Sequence, residues 1–318
     1  MNRREWLQLG LAASLGLAAS GCGLKRSQPV RIAAHIWPGY EFLYLARSLD
    51  IVDARLVRMV ETPNATANIR ALGSNVVEGA CLTLDEVLTA LERGIRLSVV
   101  CVLDVSMGAD ALLVPANIES LAGIKGLRIG VEHTATGAVM LDASLKAAGL
   151  SPEDIEIVYL SIDEHIQSYQ NGLVEALVTY EPVKNQLIKA GMKPVFTSGE
   201  IPGNIIDVIA FRTDVLAQQR EGIRETVQGH FRALERWQAD QEKYAAFLAK
   251  RLNVPDAEIT GLFSDLELPD RVSNRQWLGG SQPKIMEVAT HLAQNMLASG
   301  LLSTMPDLTL LANDSFLD

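Results

Sequence analysis

The sequence predicts two α/β lobes joined by two crossing segments, with a ligand cleft between the lobes. Three observations predict it. Apolar strand-like runs alternate with helical patterns from residue 30 to residue 103. The alternation restarts at residues 109–115 and continues to about Asp207. From about Thr213 onward only helical patterns follow. Strands alternating with helices build a mostly parallel sheet covered on both faces. A helical tail that supplies no strands must return to cover a sheet already made.

Residues 1–22 read as a secretory signal, not as fold. Arg3 and Arg4 give a positive start, residues 7–19 an apolar stretch, and small residues lead to Cys22. That stretch is shorter than the roughly 20 apolar residues a membrane-spanning helix needs. Residues 19–22, ASGC, resemble a bacterial lipobox, with Cys22 as the lipidated first residue of the mature chain. Residues 2–7, NRREWL, resemble a twin-arginine export signal; an ordinary export signal carrying two arginines fits the same residues. Residues 23–29 are then a tether to the membrane, and no later segment is long and apolar enough to span one.

Residues 30–36 are a buried strand, broken by Trp37, Pro38, Gly39, Tyr40 and Glu41 before a helix resumes at Phe42. In open α/β sheets ligands bind beyond the carboxyl ends of the strands, so Trp37, Tyr40 and Glu41 sit where a ligand is met. The alternative is that Trp37 and Tyr40 only staple helix to sheet. A strand over 55–60 follows, then a helix over 64–73 capped by Asn64. After a strand over 77–82 comes a helix over 83–93, opened by Thr83 and Glu86 in capping-box spacing. A fourth strand covers 97–103. In the second set, a strand near 124–132 leads to a helix opened by Thr134, Thr136 and Gly137 and ended by Gly149. Strands over 155–160, 174–179 and 205–212 alternate with helices around 163–171 and from Pro182 to Gly191. Residues 109–115 and 205–212 read as the two crossings. Lobe one is then residues 30–114 plus 208–318, and lobe two residues 115–207.

The net charge of −10 argues against nucleic acid as a partner, because phosphate binding needs clustered Lys and Arg. Cys81 and Cys101 lie in apolar runs and read as buried thiols; a disulfide between them remains the alternative. No cysteine or histidine spacing suits a metal site, and no cofactor is expected.

Seven features together resemble one family: the lipoprotein signal, IWPGYEFLYLAR (36–47), GACLTLDE (79–86), DVSMGADALLV (104–114), GLRIGVE (126–132), VTYEP (178–182) and IPGNIIDV (201–208). They look like substrate-binding proteins of ABC importers, of the nitrate/sulfonate/taurine type that also includes binders of thiamine-pyrimidine precursors. The resemblance covers almost the whole mature chain. It implies the type II periplasmic-binding-protein fold, a small-molecule ligand in the cleft, and delivery to a membrane permease driven by an ATPase. With the lipobox, the expectation is a lipid-anchored, monomeric protein on the outer face of the cytoplasmic membrane or in the periplasm, and, with no catalytic arrangement legible in the residues, not an enzyme. A ligand-sensing lipoprotein without transport is one alternative. A pyrimidine-synthase-like enzyme is another, disfavoured because that relative's cysteines are clustered and these are isolated.

The candidate ligand residues are Trp37, Tyr40, Glu41, Thr83, Asp85 and Asp104 from lobe one, and Glu132, Thr134, Thr136, Gly137, Tyr180 and Glu181 from lobe two, with Asp207 near the second crossing. Thr83 has helix capping as its competing role, and so does Glu181. The helix start at Thr134–Gly137 offers backbone N–H groups to an anion, or is simply capped by its own hydroxyl. The sequence places carboxylates at these strand ends and no Arg or Lys. A bare nitrate or sulfonate site calls for Arg forks. The expectation is therefore an amine-bearing, zwitterionic or aminopyrimidine-like ligand, stacked on Trp37 or Tyr40.

Overall fold

In the computed structural model, residues 28–318 are described. The residues read as an export signal, with Cys22, and all but the last two of those read as a tether lie outside them. The chain opens with β1 (Val30–Ala34), a turn of 3-10 helix over Pro38–Tyr40, and α1 (Glu41–Ser48). Then come β2 (Val57–Glu61), α2 (Ala65–Gly73), β3 (Gly79–Thr83), α3 (Leu84–Glu92) and β4 (Leu97–Ser106). The next set is β5 (Asp110–Pro115), β6 (Arg128–Val131), α4 (Ala135–Ala148), β7 (Glu156–Tyr159), α5 (His165–Gln170), β8 (Ala176–Tyr180), α6 (Val183–Lys189) and β9 (Met192–Thr197). The chain closes with β10 (Ile206–Arg212), α7 (Arg220–Ala239), α8 (Gln241–Leu252), α9 (Ile259–Ser264), β11 (Leu266–Glu267), α10 (Arg271–Leu278) and α11 (Lys284–Ala298).

Two sheets form. The first runs β11-β4-β10-β3-β1-β2 and the second β7-β6-β8-β5-β9. β1 is parallel to β2 and β3, and β6 is parallel to β7 and β8. Into each sheet one antiparallel strand is inserted: β10 between β3 and β4, β5 between β8 and β9. These inserted strands are the runs expected to be crossings. They are not: β5 belongs wholly to the second sheet and β10, including Ile206 and Asp207, wholly to the first. The physical reason is satisfaction of the backbone. All but the last residue of each strand is buried, and a buried strand needs hydrogen-bond partners along both edges. The chain therefore crosses at residues 107–109 and 198–205, and the inserted strands lock into the lobe where they arrive. The expected boundaries at 114/115 and 207/208 would each cut an inserted strand.

The tail packs as expected on the first lobe. Trp237, Leu248, Phe263, Trp277, Ile285 and Phe316 join the core of the first sheet. It also supplies a strand that was not expected, since β11 pairs with β4 at Ser106 and Val105. Cores on the two faces of the second sheet are separate and smaller. Cys81 and Cys101 are buried and unpaired.

Candidate functional site

The carboxyl ends of β1 and β3, the start of β10 and the turn at Pro38–Tyr40 face the cleft from lobe one. The start of β5 and the ends of β6 and β8 face it from lobe two. They enclose a cavity of about 30 Å³ lined from lobe one by His35, Trp37, Tyr40, Thr83, Glu86 and Asp207, and from lobe two by Asp110, Glu132, Thr134, Thr136 and Tyr180. The lobes touch here. The Thr83 and Thr136 hydroxyls are 2.8 Å apart, and Thr136 Oγ1 donates to Asp85 Oδ2 at 2.9 Å. The Tyr180 ring meets Trp37 edge-on at 5.8 Å and His35 at 6.3 Å. At the hinge, Ser106 and Ser198 hydroxyls lie 2.7 Å apart, and Gly108 N donates to Ser198 Oγ.

Aromatic rings and carboxylates alternate around the cavity. Trp37 Nε1 donates to Asp104 Oδ2 at 3.0 Å, the Tyr40 hydroxyl donates to Asp207 Oδ1, and the Tyr180 hydroxyl donates to Glu132 Oε2 at 3.2 Å. Gly39 is required at the turn, because a Cβ there would collide with the Asp104 carboxylate. Asp110 Oδ2, Glu132 Oε1 and Asp207 Oδ2 are buried with no hydrogen-bond partner among the described residues. No Lys or Arg lines this cavity.

Burial sets the protonation of the group. It pushes Asp110 and Glu132 to about 7, and Asp85 to about 6. Asp104 and Asp207 are cross-strand partners on β4 and β10. Burial pushes Asp104 to about 7 and Asp207 well above the carboxylate range, with the Asp104 charge adding to the latter. Like charges this close share protons rather than ionise together. Glu86 is also pushed well up, by burial and then by Asp85. Burial lowers His35 to about 4, so its ring is neutral and pairs with Asn68 Nδ2 at 3.2 Å.

Not every residue expected here arrives. Glu41 is wholly buried, away from the cavity, and receives Arg251 of α8 through Nε at 2.6 Å and Nη2 at 3.2 Å. The reason is helical position. Glu41 begins α1, turned towards the tail, and only the returning chain brings its cation. Glu181 accepts from Lys184 Nζ at 3.1 Å and from Asn185 N at 3.2 Å, so it belongs to the hinge and first turn of α6. Lys184 also binds Gly108 O and Asp265, at 2.8 and 2.6 Å. Asp85 and Asp104 stand one layer behind the wall, held by Thr136 and Trp37. At Gly137 the capping alternative is met: its N–H donates to Thr134 Oγ1 at 3.1 Å, so that hydroxyl caps α4 and this N–H is not free for an anion. Glu86 does cap Thr83 N, at 3.0 Å, yet it also reaches the cavity wall. His35, Glu86 and Asp110 line the cavity without having been among the expected ligand residues. His35 lay inside the run read as a buried strand, Glu86 was read as a helix cap, and Asp110 lay in the run read as a crossing.

A model of the NMT1-like family matches residues 41–253. The chain is 26% identical over 204 residues to the taurine-binding periplasmic protein of Escherichia coli K12, an alignment covering 61% of this chain and 63% of that one. It thus spans less than two thirds of that relative's length. Its fold matches the alkanesulfonate-binding protein SsuA of Xanthomonas axonopodis pv. citri, solved with MOPS, at a TM-score of 0.73 and 18% identity, over 88% of this chain and 96% of that one. It also matches the desulfurization enzyme DSZB at a TM-score of 0.66 and 15% identity, over 91% and 97%. At such identities these likenesses establish the fold, which is the two-lobed fold of periplasmic binding proteins.

Proposed function

The chain belongs to the NMT1-like family, and on that premise we propose that it is the extracytoplasmic solute-binding component of an ABC importer. It takes a small donor-rich ligand, amine-bearing, zwitterionic or aminopyrimidine-like, by closing two lobes on it, and hands it to a permease served by an ATPase. One observation carries the ligand class. Three buried carboxylate oxygens, on Asp110, Glu132 and Asp207, face a cavity without a partner and without a cation. A cationic or N–H-rich group supplies what they lack, and an aromatic wall of Trp37, Tyr40 and Tyr180 suits a cation or a flat ring. A bare anion would find no Lys or Arg there to pair with. The taurine bound by the curated relative is compatible through its ammonium.

An enzymatic reading on the same fold is less well supported. The two cysteines among the described residues are fully buried, and burial raises both thiols above their ordinary value. Such thiols are poor nucleophiles. Membrane tethering through a lipid on Cys22 completes the reading, with the protein a monomer at the outer face of the cytoplasmic membrane. Cys22→Ser should then move the protein from the membrane pellet to the soluble fraction.

The test is a thermal-shift panel of amines, aminosulfonates, aminopyrimidines, nitrate and simple alkanesulfonates. A true ligand at 100 times its dissociation constant adds about 2.7 kcal/mol. Members with an amine or amidine group should raise the melting temperature. Stabilisation by nitrate or an alkanesulfonate, with none by amines, overturns the reading.

A further inference from the structure

A groove of about 480 Å³ adjoins the acidic cavity, and Glu86, Glu132 and Thr134 belong to the walls of both. Its floor is apolar: Ile69 of α2, Leu141 and Leu145 of α4, and Ile157 of β7. At its rim stand Arg70 of α2 and Arg93, the residue capping the end of α3. Both are exposed, and among the described residues neither side chain is engaged by a carboxylate. Asp142, the carboxylate on the opposite wall, is already taken by Lys146 at 2.7 Å. Glu86, Thr89 and Arg93 follow one another on one face of α3, so the guanidinium end lies about 10 Å along the helix from the acidic end.

The lining thus changes character from the cavity to the groove beside it, from acidic side chains to guanidiniums at the far rim, with hydrocarbon between. We propose that the ligand is bipartite: a donor-rich head in the acidic cavity, an apolar stem along this groove, and an anionic terminus on Arg70 and Arg93. The class is a medium-chain ω-amino acid, its far end a carboxylate, sulfonate or phosphate. This rests on the amine reading of the cavity and extends it. It also gives the anion of a zwitterion a place, since Thr134 already occupies the N–H of Gly137.

Titration calorimetry on the mature chain tests it, with ω-aminooctanoate, octylamine and taurine as probes. ω-Aminooctanoate should bind about tenfold tighter than octylamine, the order expected of two exposed ion pairs. Arg70→Ala with Arg93→Ala should remove that advantage and leave octylamine within about twofold of wild type. Arg70→Lys with Arg93→Lys should keep most of it. If octylamine binds as tightly as ω-aminooctanoate, or the double alanine variant binds both unchanged, the bipartite ligand is wrong and the amine reading stands. If no amine of any length binds, both fall together.

Discussion

Replacing Glu132 by Gln should stabilise the ligand-free protein at alkaline pH while weakening its ligand. Burial raises this carboxyl from the ordinary 4.5 to about 7, against the Tyr180 hydrogen bond that lowers it. Its folded value therefore lies above its unfolded value. The stability it contributes is fully present below pH 4.5, where both states are protonated. It is lost as the pH rises through about 7, where the unfolded chain gives up its proton at no cost and the folded chain does not. At 1.36 kcal/mol for each pH unit between the two values, the loss above pH 7 is about 3 kcal/mol. Gln cannot ionise and keeps an oxygen for the Tyr180 hydroxyl. Urea melts at pH 4.5 and pH 8 should thus show near-equal stabilities at the acid end. At the alkaline end the variant should gain about 3 kcal/mol, or roughly 6 °C in melting temperature for a chain of this size. A cationic ligand should lose the 1.5–3 kcal/mol of a hydrogen bond to a charged group, at least tenfold in affinity. A variant equally stabilised at both pH values, or destabilised at pH 8, would refute the reasoning, because neither follows from a buried ionisation.

Two further perturbations address closure and architecture. Thr136→Val removes the hydroxyl that joins Thr83 and Asp85 across the lobes. At about 1 kcal/mol per hydrogen bond it should shift the lobes towards an open form severalfold, seen as a larger radius of gyration in small-angle scattering; an unchanged profile would argue for a rigid scaffold. Arg251→Ala strands the fully buried Glu41 without its cation. It should cost about 3 kcal/mol in a urea melt, whereas Arg251→Met combined with Glu41→Leu should recover most of it.

The sequence by itself showed which residues carry ligand-type chemistry near strand ends and most of the strands and helices, though β9 and β11 were not read from it. Trp37, Tyr40, Thr83, Glu132, Thr134, Thr136, Tyr180 and Asp207 all reach the cavity because each stands at a strand end or helix start, a position that local periodicity reveals. Sequence could not assign partners. Glu41 and Glu181 look like Glu132 in one dimension, but Arg251, some two hundred residues away, and Lys184 had already taken them. Nor could it say which sheet a two-sided apolar run joins. Residues 109–115 and 205–212 read as links, and only tertiary pairing showed them to hold inserted antiparallel strands. That insertion turns Asp207 beside Asp104 and carries Asp110 to the cleft. Backbone hydrogen bonding between distant segments decides such placement, and burial then decides charge. The proton-holding character of these carboxylates belongs to the tertiary structure, since burial of each side chain, not its sequence neighbours, raises its pKa.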